Sequence, residues 1–426
     1  MIGGAAGSAH LSAHGAADGG PGAAPQRSAL VIITSLFFMW GLLTSLNDVL
    51  IPHLKAIYTL SYVQAMLVQL CFFSAYFLVS MPAGALIRRI GYQKGAVTGL
   101  LIAATGCALF YPASRSGYSL FLLAFFVLAA GIATLQVAAN PFVTALGPAR
   151  TASSRLTLTQ AFNSLGTAVG PFVGSLLILS TSTPGAGKAA EIATVQGPYL
   201  ALAAALLTLA LVMAAVRLPA IGGGAAGAPA GRSDGGGMLA HRHLLWGTLA
   251  LFLYVGGEVS IGSFLVSFLG EPGVASLPAA QAARYVSLYW LGAMIGRFIG
   301  FVVMRRVSPG KALAFNASLA IALVVTAMLA GGTLAMVAIL AIGLCNSIMF
   351  PTIFSMSLHG LGKFTGQASG MLCMAIVGGA LVPFAQGLLA DAYGLRLSFA
   401  VPALCYAFVL FFGIKYAGLH KTPVTA

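Results

Sequence analysis

The chain has 426 residues, of which 59% are apolar and 7% are charged, whereas about 25% of residues are charged in an ordinary soluble domain. So few charges cannot cover a soluble protein of this length, so the composition excludes a soluble enzyme and predicts an integral membrane protein. The net charge of +14 is spread along the chain without a dense basic patch. It therefore fits contact with anionic lipid and argues against nucleic-acid binding.

The apolar residues fall into twelve runs near the ~20 residues that a helix needs to cross a bilayer. The predicted spans are 30–51, 65–87, 95–113, 118–146, 155–181, 198–220, 243–269, 281–304, 311–331, 333–358, 366–390 and 396–416. The remaining segments are rich in small residues, and the one between spans six and seven has the composition of a flexible linker. This pattern predicts a disordered tail (1–29), two six-helix bundles (30–220 and 243–416), a linker (221–242) and a tail (417–426).

Basic residues predict the orientation of the spans. If residues 1–29 are cytoplasmic, 15 of the 21 Lys and Arg residues fall on the cytoplasmic side, five fall on the opposite side, and Arg297 lies within span eight. Cytoplasmic loops carry the excess of Lys and Arg. Both termini are therefore predicted to be cytoplasmic, and the linker with them.

The two halves of the chain repeat. Three pairs of polar or proline positions are separated by the same 210 residues, and a basic loop recurs at an offset of 217. Parallel repeats of six helices are the layout of major facilitator transporters, in which two halves rock about a central site. We therefore predict an all-α membrane protein with the major facilitator fold and twelve transmembrane helices in two pseudo-symmetric halves. The repeated features are Asp48 and Glu258, Gln136 and Asn346, Pro141 and Pro351, and the loops that begin at Arg88-Arg89 and Arg305-Arg306.

Two acids, Asp48 and Glu258, lie within spans and away from the span ends. An ionised carboxylate there costs at least ~2.5–3.5 kcal/mol, so such residues normally face a cavity, an ion or a partner. Either acid could bind H⁺ or Na⁺ and couple that ion to substrate, while the structural alternative is a hydrogen bond or ion pair between helices. Arg297 could pair with a carboxylate, gate the inner cavity or extend toward the cytoplasm, and we favour a gating or structural role.

Neutral amides form the other polar set within the spans. They offer donors and acceptors without charge, which suits the hydroxyl groups of a sugar, whereas the alternative is hydrogen bonding between helices. Trp290 is a candidate for stacking on the apolar face of a sugar. Pro141 and Pro351 are expected to kink spans four and ten. The candidate substrate-binding amides are Asn47, Gln69, Gln136, Gln160, Asn163 and Asn346.

The sequence lacks the motifs of nucleotide hydrolysis and metal catalysis. It contains neither a Walker loop nor HExxH, and the five cysteines lie inside apolar runs without metal-ligand spacing. We therefore predict a protein that is not an enzyme and has no cofactor. Its transport would be driven by an ion gradient, with no metal site beyond a Na⁺ near Asp48.

Five motifs of the spans stand out: WGLLTSLNDVLIPHL (40–54), LQVAANPFVTALGP (135–148), RLTLTQAFNSLGTAVGP (155–171), YVGGEVSIGSFLV (254–266) and GRFIG (296–300). They resemble the fucose–galactose–glucose branch of the major facilitator superfamily, and among its members the bacterial glucose/galactose transporters are more similar than the fucose permease. This resemblance implies that Asp48 serves cation coupling and that Gln136, Gln160 and Asn163 contact sugar. The fucose permease has a Glu where this chain has Gln136, which argues against a fucose-type proton relay. The usual loop motif after span two has an acid where this chain has Arg88, so the salt bridges of that acid are not expected.

The sequence thus predicts a monomeric carrier in a bacterial-type inner membrane that imports glucose or galactose together with Na⁺ or H⁺. In this prediction Glu258 shares in ion binding or sugar recognition, while Arg88, Arg89, Arg297 and the two prolines have gating or structural roles. The alternatives are an L-fucose/proton symporter, a polyspecific drug exporter and a non-transporting sugar sensor.

Overall fold

The computed structural model describes residues 30–45, 62–174, 196–216 and 237–419, and these ranges are almost entirely helical. A backbone that crosses lipid must satisfy its own hydrogen bonds, which is why the apolar runs form helices. Ten helices in the described ranges are long and apolar enough to span a membrane, and α1 and α5 complete the twelve. The helices are α1 Leu30–Ser45, α2 Tyr62–Ile90, α3 Tyr92–Ser116, α4 Tyr118–Ala145, α5 Ala152–Gly174, α6 Gln196–Ala215, α7 Arg242–Gly270, α8 Ala279–Val303, α9 Pro309–Leu329, α10 Gly332–Ser357, α11 Gly362–Tyr393 and α12 Leu395–Lys415.

The helices pack as two groups. In the first half α3 packs against α4 and α6, and α2 packs against α4; in the second half α9 packs against α10 and α12, and α7 packs against α11 and α12. The groups meet along two seams, which we call the α5–α8 seam and the α2–α11 seam after the helices that form them. The twelve-helix fold class is therefore as predicted. The exact boundaries of the two halves stay a prediction, because 1–29, most of 221–242 and 420–426 lie outside the described residues.

The halves are in direct contact at the end of the bundle where α2 finishes with Arg88 and Arg89, which we call the basic face. In the first turn of α5, the Ser153 hydroxyl lies 2.6 Å from the Ser355 hydroxyl of α10. Beside it, Ser154 Oγ donates to the Phe301 carbonyl near the end of α8, also at 2.6 Å. Hydroxyl groups in the first turn of α5 therefore join the first half to α8 and α10 of the second half at the basic face.

Inside the first half, α3 and α4 approach closely because glycine lies at the contact. A Cβ atom at Gly106 would overlap the backbone of Leu128. We expect Gly106→Val to force the two helices apart at a cost of about 1–3 kcal/mol, as overpacking of a filled core does. The measurement is the Tm of the purified protein in detergent. Gly197→Val is the control, because nothing lies within 4 Å of a Cβ there; equal Tm values for the two variants would contradict the expectation.

Candidate functional site

Arg297 links the two halves at the middle of the α5–α8 seam. From α8, its Nη1 atom donates to Ser164 Oγ and, at 3.5 Å, to the Gln160 carbonyl, both on α5. Its Nε atom donates to the Ser347 carbonyl of α10 at 3.2 Å. One half-buried guanidinium thus holds a helix of each half.

The Ser347 carbonyl is free to accept this bond because of Pro351. Proline has no N–H, so the carbonyl four residues earlier loses its intrahelical partner. Helix α10 is interrupted at this point, between Asn346 and Met349. The interruption of α10 before Pro351 therefore supplies the acceptor that holds Arg297.

Pro141, which lies 210 positions before Pro351, has the same effect without interrupting its helix. Helix α4 runs unbroken through Pro141, yet the carbonyl of Val137, four residues earlier, accepts a hydrogen bond from Ser369 Oγ at 2.9 Å. Because Ser369 lies on α11, this bond joins α4 to the second half, beside the α2–α11 seam. Each repeated proline thus exposes a carbonyl that anchors another helix.

A polar cluster occupies the second half around Glu258. Asn346 Nδ2 donates to the Tyr289 hydroxyl at 2.7 Å, and the Tyr254 hydroxyl donates to the Asn346 carbonyl at 3.0 Å. The Glu258 carboxyl lies beside the Tyr254 hydroxyl, with Arg297 as the nearby positive charge. Glu258 Oε1 and Asn346 Oδ1 are buried without a hydrogen-bond partner. The cluster therefore retains unused acceptors next to an ionisable group.

The amides of the first half differ in how much of their hydrogen-bonding capacity is free. Gln136 Nε2 donates to the Tyr76 hydroxyl, which leaves Gln136 Oε1 buried without a partner. Gln160 Nε2 is likewise buried and unpartnered. Asn163 Nδ2, in contrast, donates to the Phe37 carbonyl of α1 at 2.9 Å. Gln136 and Gln160 thus offer free groups, whereas the amide nitrogen of Asn163 joins two helices.

Trp290 lies two helical turns from Arg297 and on the same face of α8. Arg297 contacts the first half, yet Trp290 is 42% exposed, and its ring meets Tyr289 edge to face at 5.1 Å. The indole is therefore packed on one side against Tyr289 and partly exposed on the other, so it stays a candidate for stacking.

Other candidates are less informative. Asn47 and Asp48 lie outside the described residues, as does the side chain of Gln69. Arg88 and Arg89 are exposed at the basic face.

Sequence reasoning missed Ser164, Ser369 and Tyr289 as parts of this site. Serine and tyrosine recur throughout the spans, and no spacing distinguishes these three.

The combined chemistry of the site is that of a neutral polar ligand with an ionisable neighbour. The unpartnered atoms include an amide nitrogen and several amide oxygens, so both donors and acceptors are free. The described residues contain no group of three or more His, Cys, Asp or Glu side chains that could hold a metal ion. A buried polar group without a partner costs about 1–3 kcal/mol, so these groups favour any ligand that completes their hydrogen bonds.

Comparison with known proteins places the chain in a family. Residues 32–376 match the Major Facilitator Superfamily. The chain is 55% identical over 388 residues to a glucose/galactose transporter of Brucella abortus biovar 1 (strain 9-941), with 91% of this chain and 93% of the relative covered. It is 36% identical to an L-fucose-proton symporter of Escherichia coli (strain K12), with 89% of this chain and 91% of the relative covered.

The fold agrees with these similarities. A crystal structure of the transporter FucP in the outward conformation superposes with a TM-score of 0.84 at 34% identity, covering 92% of this chain and 99% of that one. The predictions of the family, of a twelve-helix transporter fold and of a transporter in place of an enzyme are confirmed. The chain is a multi-pass membrane transporter and belongs to the Major Facilitator Superfamily.

Proposed function

We propose that this transporter imports a hexose, glucose or galactose, by symport with a cation through alternating access. The observation that carries the proposal is the set of buried, unpartnered groups on helices of both halves, namely Gln136 Oε1, Gln160 Nε2, Glu258 Oε1 and Asn346 Oδ1. Free donors and acceptors suit sugar hydroxyls, and a buried carboxyl suits a coupling ion. The names of the Brucella and E. coli relatives support the same substrate class.

The proposed roles follow from this chemistry. Gln136, Gln160 and Asn346 bind hydroxyl groups, and Trp290 stacks on the apolar face of the ring, while Asn47, Gln69 and Asn163 stay further candidates for the same contacts. Asp48 and Glu258 bind the coupling ion, and Glu258 is also a candidate for sugar recognition.

Arg297 is proposed to act as a gate. Because it joins α8 to α5, its bonds must break when the halves separate on the basic face.

The proposed setting is a bacterial-type inner membrane, with a monomeric carrier and both termini in the cytoplasm. The basic face is then the cytoplasmic face. With Ser153 and Ser355 in contact there, the carrier is closed toward the cytoplasm. The similarity to FucP in its outward conformation supports this orientation.

The coupling ion is H⁺ or Na⁺. The E. coli relative is named a proton symporter. Imposing H⁺ and Na⁺ gradients separately on the reconstituted protein distinguishes the two ions.

Counterflow in proteoliposomes tests the substrate directly. Vesicles loaded with unlabelled D-galactose should take up labelled D-galactose transiently, and external D-glucose should compete more strongly than L-fucose. Counterflow requires only alternating access, so the coupling ion need not be known. Well-folded protein without galactose exchange would overturn the hexose proposal. Competition by L-fucose alone would favour the fucose symporter, and competition by lipophilic cations would favour the drug exporter.

A further inference from the structure

Two pairs of polar side chains lie one above the other between α2 and α4. Both helices run toward the basic face, since α2 ends at Arg88 and Arg89 and Arg150 follows α4. Tyr76 and Gln136 form the outer pair and share a hydrogen bond. Ser80 and Asn140 each lie four residues further along the same helices, which is about 6 Å nearer the basic face. We call Ser80 and Asn140 the inner pair.

The inner pair is buried with its hydrogen-bonding capacity unused. Ser80 and Asn140 are both 0% exposed. Ser80 Oγ and both amide atoms of Asn140 have no hydrogen-bond partner. Native proteins almost always satisfy buried polar groups, and an unsatisfied one costs about 1–3 kcal/mol. The closed basic face therefore holds these groups in an unfavourable environment, which a different conformation or ligand can relieve.

Helix α11 covers α2 at Ser80 and α4 about one turn before Asn140. A Cβ atom on Gly370 would lie 2.5 Å from the Ser80 carbonyl, and one on Gly84 would lie 2.8 Å from the Gly366 carbonyl. The neighbouring Ser369 donates to the Val137 carbonyl that Pro141 leaves free. Because α11 belongs to the second half, separation of the halves at the basic face removes this cover and exposes the inner pair on that side.

Asn140 has no polar equivalent in the second half. The position 210 residues after Asn140 is Phe350, which has no hydrogen-bonding group. The position 217 residues after Ser80, the offset of the basic loop, is Arg297, whose guanidinium donates to α5 and α10. A ligand that leaves through the basic face therefore meets an amide at this depth on the first half only.

We propose that Ser80 and Asn140 form an inner subsite for sugar hydroxyls, used when the carrier is open at the basic face. The inference rests on the proposed hexose transport. An amide donates and accepts, and a serine hydroxyl does either, so the pair can bind adjacent hydroxyl groups of a hexose. The sugar passes from Gln136 to Asn140 as α11 moves away. At each of the two positions a sugar hydroxyl becomes the hydrogen-bond partner of an amide that otherwise has an unpartnered atom.

The experiment compares the two sides of the membrane. D-Galactose exchange is measured in right-side-out and in inside-out membrane vesicles for the unmodified chain and for Asn140→Leu. We expect the half-saturating galactose concentration to rise about tenfold, the effect of losing about 1.4 kcal/mol of binding, at the basic face alone. At the opposite face the half-saturating concentration of the variant should stay within about twofold of that of the unmodified chain. Asn316→Leu is the matched control, because the Asn316 amide nitrogen bonds only its own helix, to the Ala312 carbonyl at 2.9 Å.

The possible outcomes separate the inference from the proposed function. Equal shifts at both faces, or no shift at either, would overturn the inner subsite. Absence of galactose exchange in the unmodified chain would instead overturn hexose transport. If Asn140→Leu does not fold, Ser80→Ala tests the same one-sided shift through the other member of the pair.

Discussion

Glu258→Gln should abolish concentrative hexose uptake while leaving exchange intact. Glutamine keeps the shape of the side chain and its hydrogen-bonding ability but neither takes up a proton nor carries the charge that binds a cation. A tenfold cation gradient corresponds to about 1.4 kcal/mol, so a carrier with one-to-one coupling accumulates sugar about tenfold. The variant should reach an accumulation ratio of about 1, because an uncoupled carrier only equilibrates its substrate.

The measurement is uptake of labelled D-galactose under an imposed cation gradient, with counterflow of the same variant as the test that the protein is folded and alternates. Glu271→Gln is the matched control, because Glu271 follows the last residue of α7 and lies outside the polar cluster. Undiminished accumulation by Glu258→Gln would remove Glu258 from the coupling mechanism and leave Asp48 as its candidate.

Arg297→Met should shift the carrier toward opening at the basic face. The substitution removes the bonds to Ser347, Gln160 and Ser164, and a hydrogen bond to a charged group is worth about 1.5–3 kcal/mol. Loss of even one such bond alters a conformational equilibrium by about tenfold. We therefore expect the ratio of closed to open molecules at the basic face to fall by about that factor.

The buried thiol of Cys373 reports on this change. Cys373 is 0% exposed and lies on α11, near Ser369 and Tyr76 of the α2–α11 seam. In a chain whose other cysteines are replaced by alanine, Arg297→Met should accelerate alkylation of Cys373 by a water-soluble reagent about tenfold, in proportion to the open fraction. Arg284→Met is the control, because Arg284 is an exposed residue of the same helix. An unchanged rate would show that Arg297 does not hold the halves together.

The sequence predicted the number and order of the helices well, because a backbone that crosses lipid must satisfy its own hydrogen bonds. It predicted the residues at which the helices begin and end less well. Residues 65–87 and 95–113 were expected to be separated by seven residues, whereas α2 and α3 are separated by Gly91 alone. Hydropathy locates the part of a helix that lies in lipid, and both helices extend beyond it into polar residues such as Arg88 and Gln93. The turn itself needs the positive φ of 85° that Gly91 adopts.

The site was predicted by residue type, while its hydrogen bonds depended on which helices meet. Gln160 and Asn163 are three residues apart, a spacing that places both side chains on one face of a helix. In the structure a Cβ atom on Gly41 would overlap the Asn163 carbonyl, so α1 comes close enough for its Phe37 carbonyl to accept from the Asn163 amide. The partner of an amide is thus set by a glycine on another helix, which periodicity along one helix does not reveal.

Pro141 and Pro351 also show that the sequence does not reveal which helices a local feature will contact. Their spacing of 210 residues was visible in the sequence, and so was the disturbance expected of a proline within a helix. What the spacing did not indicate is that the two freed carbonyls have different partners, Ser369 of the opposite half for α4 and Arg297 of the same half for α10. Equivalent backbone features therefore serve different contacts in the two halves.

The most direct test of cation-coupled hexose transport is accumulation of labelled D-galactose by proteoliposomes of the unmodified chain. An inward H⁺ gradient and an inward Na⁺ gradient are imposed in separate experiments. We expect accumulation above the external concentration with one of the two ions, and loss of that accumulation when an ionophore collapses the gradient. Galactose that only equilibrates under both gradients, in protein that performs counterflow, would contradict symport and leave a facilitative carrier.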